Sequence, residues 1–222
     1  MKAKDTTYNF RDIKALKFGE ELGNSISHGV PALLIVFTLP YFAVKTYLSG
    51  GAMETFSISV FLISIFLMLF SSCIYHLMPP KSQHKYIMRI IDHSMIYVAI
   101  AGTYTPVALL MVGGKLGTFV MIIEWLIAIS GILYKSLAKN VHPKASLTIY
   151  LIMGWLGIIL FPAMIHTASI TFLCWILAGG IMYTIGSWFY AQKNRHYFHM
   201  IWHFFILLGA LCHFIGLLYF IN

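Results

Sequence analysis

The feature that most constrains this chain is a series of seven long apolar stretches separated by short polar connections. About 20 apolar residues of α-helix cross the hydrocarbon core of a bilayer, and a helix satisfies its own backbone hydrogen bonds there. The seven stretches that reach this length lie at residues 30–49, 55–77, 88–112, 116–135, 146–165, 169–190 and 199–221. The sequence therefore predicts an all-α integral membrane protein with seven transmembrane helices.

Composition supports this class and argues against a soluble fold. Hydrophobic residues make up 59% of the 222 residues and charged residues only 10%, whereas soluble domains have about 25% charged residues. A soluble chain of this length would form one core, and that core could not bury so much apolar surface. We predict a cytoplasmic N-terminal segment at residues 1–27 and a single seven-helix transmembrane domain at residues 28–222.

The positively charged residues predict how the helices are oriented. Thirteen of the 15 Lys and Arg residues lie in the N-terminal segment or after the second, fourth and sixth stretches, and only Lys45 and Lys115 lie elsewhere. Cytoplasmic connections carry the excess of Lys and Arg, so we expect a cytoplasmic N-terminus and an extracytoplasmic C-terminus. This topology explains the formal net charge of +8, and no nucleic-acid partner is inferred from it.

Several polar residues lie at the ends of the apolar stretches, where ionisable groups are costly and usually functional. His76 ends the second stretch, four residues after Ser72, and Asp92 lies one turn into the third. His199 and His203 open the seventh stretch and share a helix face because they are four residues apart. The predicted topology puts all five residues at one depth, near the cytoplasmic face, and so predicts one shared site.

This group of residue types is typical of a catalytic zinc site. Three histidines with a fourth position open to water form a common catalytic set, so we predict that His76, His199 and His203 hold Zn²⁺. Asp92 is then expected to orient or deprotonate the bound water, and Ser72 to stabilise an oxyanion or orient a ligand. The alternative is that each histidine only lies in the membrane interface, because His-x-x-x-His alone is weak evidence.

Other polar residues have less specific interpretations. Glu21, Asn24 and His28 precede the first stretch and either support or line the site, or cap and solvate the helix end. Glu124 lies near the middle of the fourth stretch and is expected to line a cavity or pair with a neighbouring helix, not to face lipid. His213 is too far along its helix to join the predicted metal ligands, and a structural hydrogen bond is its expected role.

Taken in order, these residues resemble the progestin and adipoQ receptor family, and within it the bacterial haemolysin III branch. The central pattern is Ser72-x-x-x-His76, then Asp92, then His199-x-x-x-His203. Shorter matches extend the resemblance over most of the chain: Glu20-Glu21-x-x-Asn24-x-x-x-His28, Ala101-Gly102-Thr103-Tyr104-Thr105-Pro106, Tyr183-Thr184-Ile185-Gly186, Phe189-Tyr190-Ala191 and Cys212-His213-Phe214.

The resemblance implies a zinc ion held by His76, His199 and His203, with Asp92 acting through the bound water. Eukaryotic relatives and the more distant alkaline ceramidases imply hydrolysis of a lipid amide, and bacterial relatives are linked to haemolysis and membrane-lipid homeostasis. Many bacterial relatives have His-Glu-x-x-His, whereas this chain has Met200 in the second position. That departure argues against a metalloprotease mechanism, which uses the glutamate as its base.

The leading hypothesis is a membrane-embedded, zinc-dependent hydrolase of a lipid amide or acyl bond, located in the bacterial plasma membrane. Its expected partners are a membrane lipid substrate and the bilayer, with the oligomeric state left open. One alternative is a receptor-like or homeostatic membrane protein in which zinc is structural. Another is a cytolytic protein, although we expect neither a secreted toxin nor a wide pore, because the sequence shows no signal peptide and no long amphipathic segment.

We predict that a reporter active only in the cytoplasm stays silent when it is fused after Asn222, because the distribution of Lys and Arg orients the C-terminus outward. The same reporter fused before Met1 is the control and should be active. A strong cytoplasmic signal from the C-terminal fusion would contradict a seven-span topology.

Overall fold

The computed structural model describes residues 16–138, 142–192 and 195–221, and these residues form helices with short connections and no strand. A π-helical segment, Val107–Val112, continues the second helix, and a 3₁₀ segment, Leu156–Ile159, joins the fourth to the fifth. The α-helices are α1 Phe18–Leu77, α2 Gln83–Pro106, α3 Gly114–Leu137, α4 Pro143–Trp155, α5 Phe161–Thr167, α6 Ile170–Ala191 and α7 Phe198–Tyr219. The predicted all-α class is confirmed.

Part of the sequence used to predict the orientation lies outside the described residues. This applies to residues 1–15 of the predicted cytoplasmic segment and to Lys139 and Lys193 in two connections. The orientation of the termini stays a prediction.

The 60 residues of α1 form a helical hairpin that reverses at Gly51, where φ is 71° and ψ is −158°. Glycine adopts this backbone conformation without the steric cost that a Cβ would bring. The arms at residues 18–50 and 52–77 run antiparallel, since Ser25 Oγ near the start lies 3.3 Å from the Cys73 carbonyl oxygen near the end. The predicted first connection is therefore a sharp break between two long helical arms.

The first arm begins at Phe18, well before the predicted boundary at residue 30. The first turns of this arm carry polar residues. A prediction based only on apolar stretches places these residues outside the membrane helices. Here they are buried within the bundle, and α1 extends to include them: Glu20, Glu21, Asn24, Ser25 and His28.

The predicted fifth span, residues 146–165, is not one straight helix, because α4 and α5 are bent by 48° across the 3₁₀ segment. Gly154 and Gly157 weaken the helix there, and Pro162 lacks an N–H and clashes with a helical carbonyl one turn earlier. Tyr104 Oη donates to the Gly154 carbonyl oxygen, 2.9 Å away, and accepts the Gly157 N–H. The tyrosine thus hydrogen-bonds to backbone groups at the bend.

Among the described residues, five helices are long and apolar enough to cross a membrane, or six when the bent α4–α5 pair counts as one span. The chain is an integral membrane protein. Glu124 in α3 is fully buried, so it does not face lipid. The α1 hairpin packs against α2 and α7, and α6 packs along α7. This packing brings the two ends of α1, the start of α2 and the start of α7 to the same end of the bundle.

Candidate metal centre

Three imidazoles converge at that end of the bundle. His76 lies in the last turn of α1, and His199 and His203 lie one turn apart at the start of α7. The His199 Nε2 atom is 3.3 Å from His76 Nε2 and 3.2 Å from His203 Nε2, and one ligand atom of each residue lies within 4.8 Å of the others. The structure therefore brings the three predicted ligands together.

The spacing of His199 from the other two histidines fits a tetrahedral metal ion. Zn–N bonds of about 2.0–2.1 Å at tetrahedral angles place two ligand nitrogens about 3.3 Å apart, which matches the His199–His76 and His199–His203 separations of 3.3 and 3.2 Å. His76 and His203 are buried, so their nitrogens cannot all be satisfied by bulk water. Within the described residues this is the one group of three or more His, Cys, Asp or Glu side chains that could hold a metal.

The opposite edge of His76 is held by a carboxylate. Its Nδ1 lies 2.6 Å from Glu21 Oε2, and because an ionised carboxylate only accepts hydrogen bonds, Nδ1 donates the proton. That tautomer leaves the lone pair on Nε2, the atom that faces the other two histidines. A carboxylate behind a ligating histidine is a common feature of metal sites, and sequence reasoning offered this position for Glu21 as one of two alternatives.

The carboxylate of Glu21 is held in turn by Lys85, whose Nζ lies 2.7 Å from Glu21 Oε1. Lys85 is not among the site residues predicted from the sequence, because there it counts only as a basic residue of a cytoplasmic connection. A signal was available: Lys85 is seven residues before Asp92, and a separation of two helical turns puts both residues on one face of α2.

His28 and Asn24 also lie beside the histidines. The His28 ring stacks on His203 with 3.9 Å between ring centroids and an interplanar angle of 18°. Its Nε2 lies 3.4 Å from the His203 carbonyl oxygen. Asn24 is fully buried, and neither its amide nitrogen nor its amide oxygen has a hydrogen-bond partner among the described residues. Both residues thus contribute to the polar interior rather than to a solvated helix end.

Ser72 and Asp92 are buried and line a cavity next to the histidines. Asp92 Oδ2 lies 3.3 Å from the Nδ1 atom of His93, and His93 Nε2 lies 3.2 Å from Tyr190 Oη. His28, which stacks on His203, lines the same cavity. The two predicted catalytic residues therefore line, together with His28, a cavity that adjoins the candidate centre through the stack of His28 on His203.

The cavity has a volume of about 230 Å³ and a mostly apolar lining. Along α2 and into the π-helical segment its lining extends from Asp92 to Val107, which corresponds to about 22 Å of helix at a rise of about 1.5 Å per residue. The opposite walls come from the α4–α5 segment, α6 and α7. His213 also lines the cavity and donates its predicted structural hydrogen bond to the Ile176 carbonyl oxygen, 3.1 Å away.

Comparison with known proteins agrees with the resemblance seen in the residues. The family described as haemolysin-III related matches residues 16–214. The chain is 36% identical over 201 residues to a hemolysin-3 homolog of Bacillus subtilis strain 168, covering 90% of this chain and 94% of the relative. It is 35% identical over 203 residues to hemolysin-3 of Bacillus cereus, covering 91% and 92%.

A more distant relative is the human monocyte to macrophage differentiation factor, which is 26% identical over 200 residues, covering 88% of this chain and 82% of that protein. The match to the family and the two Bacillus relatives each extend over nearly the whole helical bundle. The chain belongs to the haemolysin-III related family.

Proposed function

We propose that this protein is a zinc-dependent hydrolase that cleaves an amide or acyl bond of a membrane lipid. The observation that carries the proposal is that the three-histidine group adjoins, through the stack of His203 on His28, a mostly apolar cavity lined by Ser72 and Asp92. Ligand sites are typically apolar cavities with a few convergent polar groups. A lipid acyl chain fits the apolar length of this cavity, and the bond to be cleaved would then lie near Ser72 and Asp92.

The proposed topology has seven spans with the N-terminus in the cytoplasm. The two arms of the α1 hairpin supply two spans, the α4–α5 pair supplies one bent span, and α2, α3, α6 and α7 supply the rest. An odd number of spans puts the termini on opposite sides. The distribution of Lys and Arg then supports a metal centre near the cytoplasmic face of the plasma membrane.

In this proposal His76, His199 and His203 hold the ion. Bound zinc would polarise a carbonyl group and make a coordinated water more acidic. The Asp92 carboxylate accepts the proton from the attacking water, and the Ser72 hydroxyl donates a hydrogen bond to the oxygen on which negative charge develops. Glu21 holds His76 in the required tautomer, while His28 packs against His203 and limits its rotation.

The alternative of a receptor-like or homeostatic protein with structural zinc is less well supported. Structural zinc sites are closed by four protein ligands, whereas catalytic sites keep one position open. The candidate group has three members among the described residues. The name of the Bacillus cereus relative keeps cytolysis as a second candidate, which predicts that the protein lyses erythrocytes without cleaving lipid.

We predict about one zinc ion per chain and its loss from His76→Ala, His199→Ala and His203→Ala. Removing one of three ligands breaks the chelating set, so affinity should fall by orders of magnitude. Metal analysis of the purified proteins measures this. His84→Ala, which changes an exposed histidine, is the control and should keep its zinc. If a folded variant of one of these three histidines still binds stoichiometric zinc, that histidine is not a zinc ligand.

We predict that Asp92→Asn keeps its zinc but hydrolyses a fluorescent ceramide about 10²- to 10⁴-fold more slowly, because an amide cannot accept the proton. The matched control is Glu124→Gln, which neutralises another buried carboxylate outside the cavity lining and should keep its activity. Full activity of Asp92→Asn would show that Asp92 is not the base, whereas loss of zinc would indicate that it is a direct ligand.

We predict that Gly180→Leu slows hydrolysis of long-chain ceramide more than of a short-chain analogue. Gly180 lines the cavity, and a Cβ placed there meets no atom within 4 Å, so the new side chain enters open space. Leucine also favours the helix over glycine, and the fold and zinc content should persist. Gly19→Leu, at an equally open position outside the cavity, is the control. Equal rates for both chain lengths would argue against an acyl chain in this cavity.

A further inference from the structure

We infer that Lys85 is a positioning residue of the metal centre, which acts on His76 through Glu21. This inference rests on the proposed function only in that His76 is taken as a zinc ligand. The inference gives Lys85 a role in metal affinity, whereas the sequence alone indicates only a basic residue in a connection.

The surroundings of Lys85 differ from those of an ordinary lysine in a connection. Its side chain is 1% exposed, although lysine is almost never fully buried unless it is paired. The Nζ atom donates to Glu21 Oε1 at 2.7 Å and to the Met78 carbonyl oxygen at 3.2 Å. It also lies 4.9 Å from the centroid of the Tyr75 ring, which attracts a cation.

The two oxygens of Glu21 are divided between two partners. Oε1 accepts from Lys85 and Oε2 accepts from His76 Nδ1. With both oxygens held, the carboxylate cannot rotate about its terminal bond without losing a contact. The orientation of the His76 ring, and hence the direction of its Nε2 lone pair, is therefore fixed by a chain of contacts that begins at Lys85.

The backbone around Lys85 holds this chain of contacts in place. The Lys85 N–H donates to Ser82 Oγ, the N-cap of α2, so the residue lies in the first turn of a capped helix. The bond from Nζ to Met78 ties the same side chain to the connection that leaves α1. Lys85 thus joins the two arms of α1 to the start of α2 at the point where the metal ligands meet.

The test measures zinc affinity by competition with a chelator in the full-length protein. Lys85→Met keeps most of the apolar stem but removes the donor, so Glu21 loses one of its two partners. We expect affinity to fall about 10- to 100-fold, as is typical when the support of a ligand is removed. Lys81→Met removes the same charge from an exposed position in the same connection and should leave the affinity unchanged.

The double variant Glu21→Gln/Lys85→Met tests whether Lys85 acts through Glu21. If it does, the double variant binds zinc as weakly as Glu21→Gln alone, because Lys85 no longer has a carboxylate to hold. The double variant also removes both buried charges, so a further loss of affinity relative to Glu21→Gln would contradict the inference even if Lys85→Met does not fold. A cobalt-substituted spectrum that changes in Lys85→Met but not in Lys81→Met would show altered ligand geometry and support the inference.

Two results would overturn the inference: equal zinc affinity in Lys85→Met and Lys81→Met, or additive losses in the double variant. Neither depends on hydrolysis. Wild-type protein that binds zinc but cleaves no lipid would refute the proposed function and leave the role of Lys85 intact. Active wild-type protein with unchanged zinc affinity in Lys85→Met would refute the role of Lys85 and leave the proposed function intact.

Discussion

The contact between Glu21 and His76 is the interaction on which the candidate centre depends. It joins residues that are 55 positions apart, at the two ends of the α1 hairpin, with 2.6 Å between Nδ1 and Oε2. In an apolar interior a carboxylate and an imidazole must find partners, because breaking a buried pair by removing one member costs about 3–5 kcal/mol. The same contact closes the hairpin, sets the tautomer of His76 and aims Nε2 at the histidines of α7.

The remaining parts of the site follow from that geometry. The histidines of α7 complete the group, with His199 at tetrahedral ligand spacing from His76 and from His203, and His28 stacks on His203. The apolar cavity begins beside them and extends along α2 toward Val107. A lipid chain in this cavity would meet a mostly apolar lining, with Ser72 and Asp92 near the candidate centre and His213 farther along it.

Sequence reasoning predicts the all-helical class because apolar stretches of this length need a bilayer. It also predicts the three histidines as one group, because their spacing and the expected topology put them on shared faces at a shared depth. The start of α1 predicted from the sequence is too late. Glu20, Glu21 and Asn24 are typical of a solvated segment when their burial against other helices is unknown. The bend between α4 and α5 is not predicted for a related reason: the backbone at the bend hydrogen-bonds to Tyr104, a contact between segments far apart in the sequence.

Zinc-edge X-ray absorption of the purified wild-type protein tests the three-histidine centre most directly. We predict three imidazole nitrogens at about 2.0–2.1 Å from zinc, with one further light-atom ligand. Sulfur ligands at about 2.3 Å, or protein purified under non-chelating conditions without zinc, would contradict a three-histidine centre.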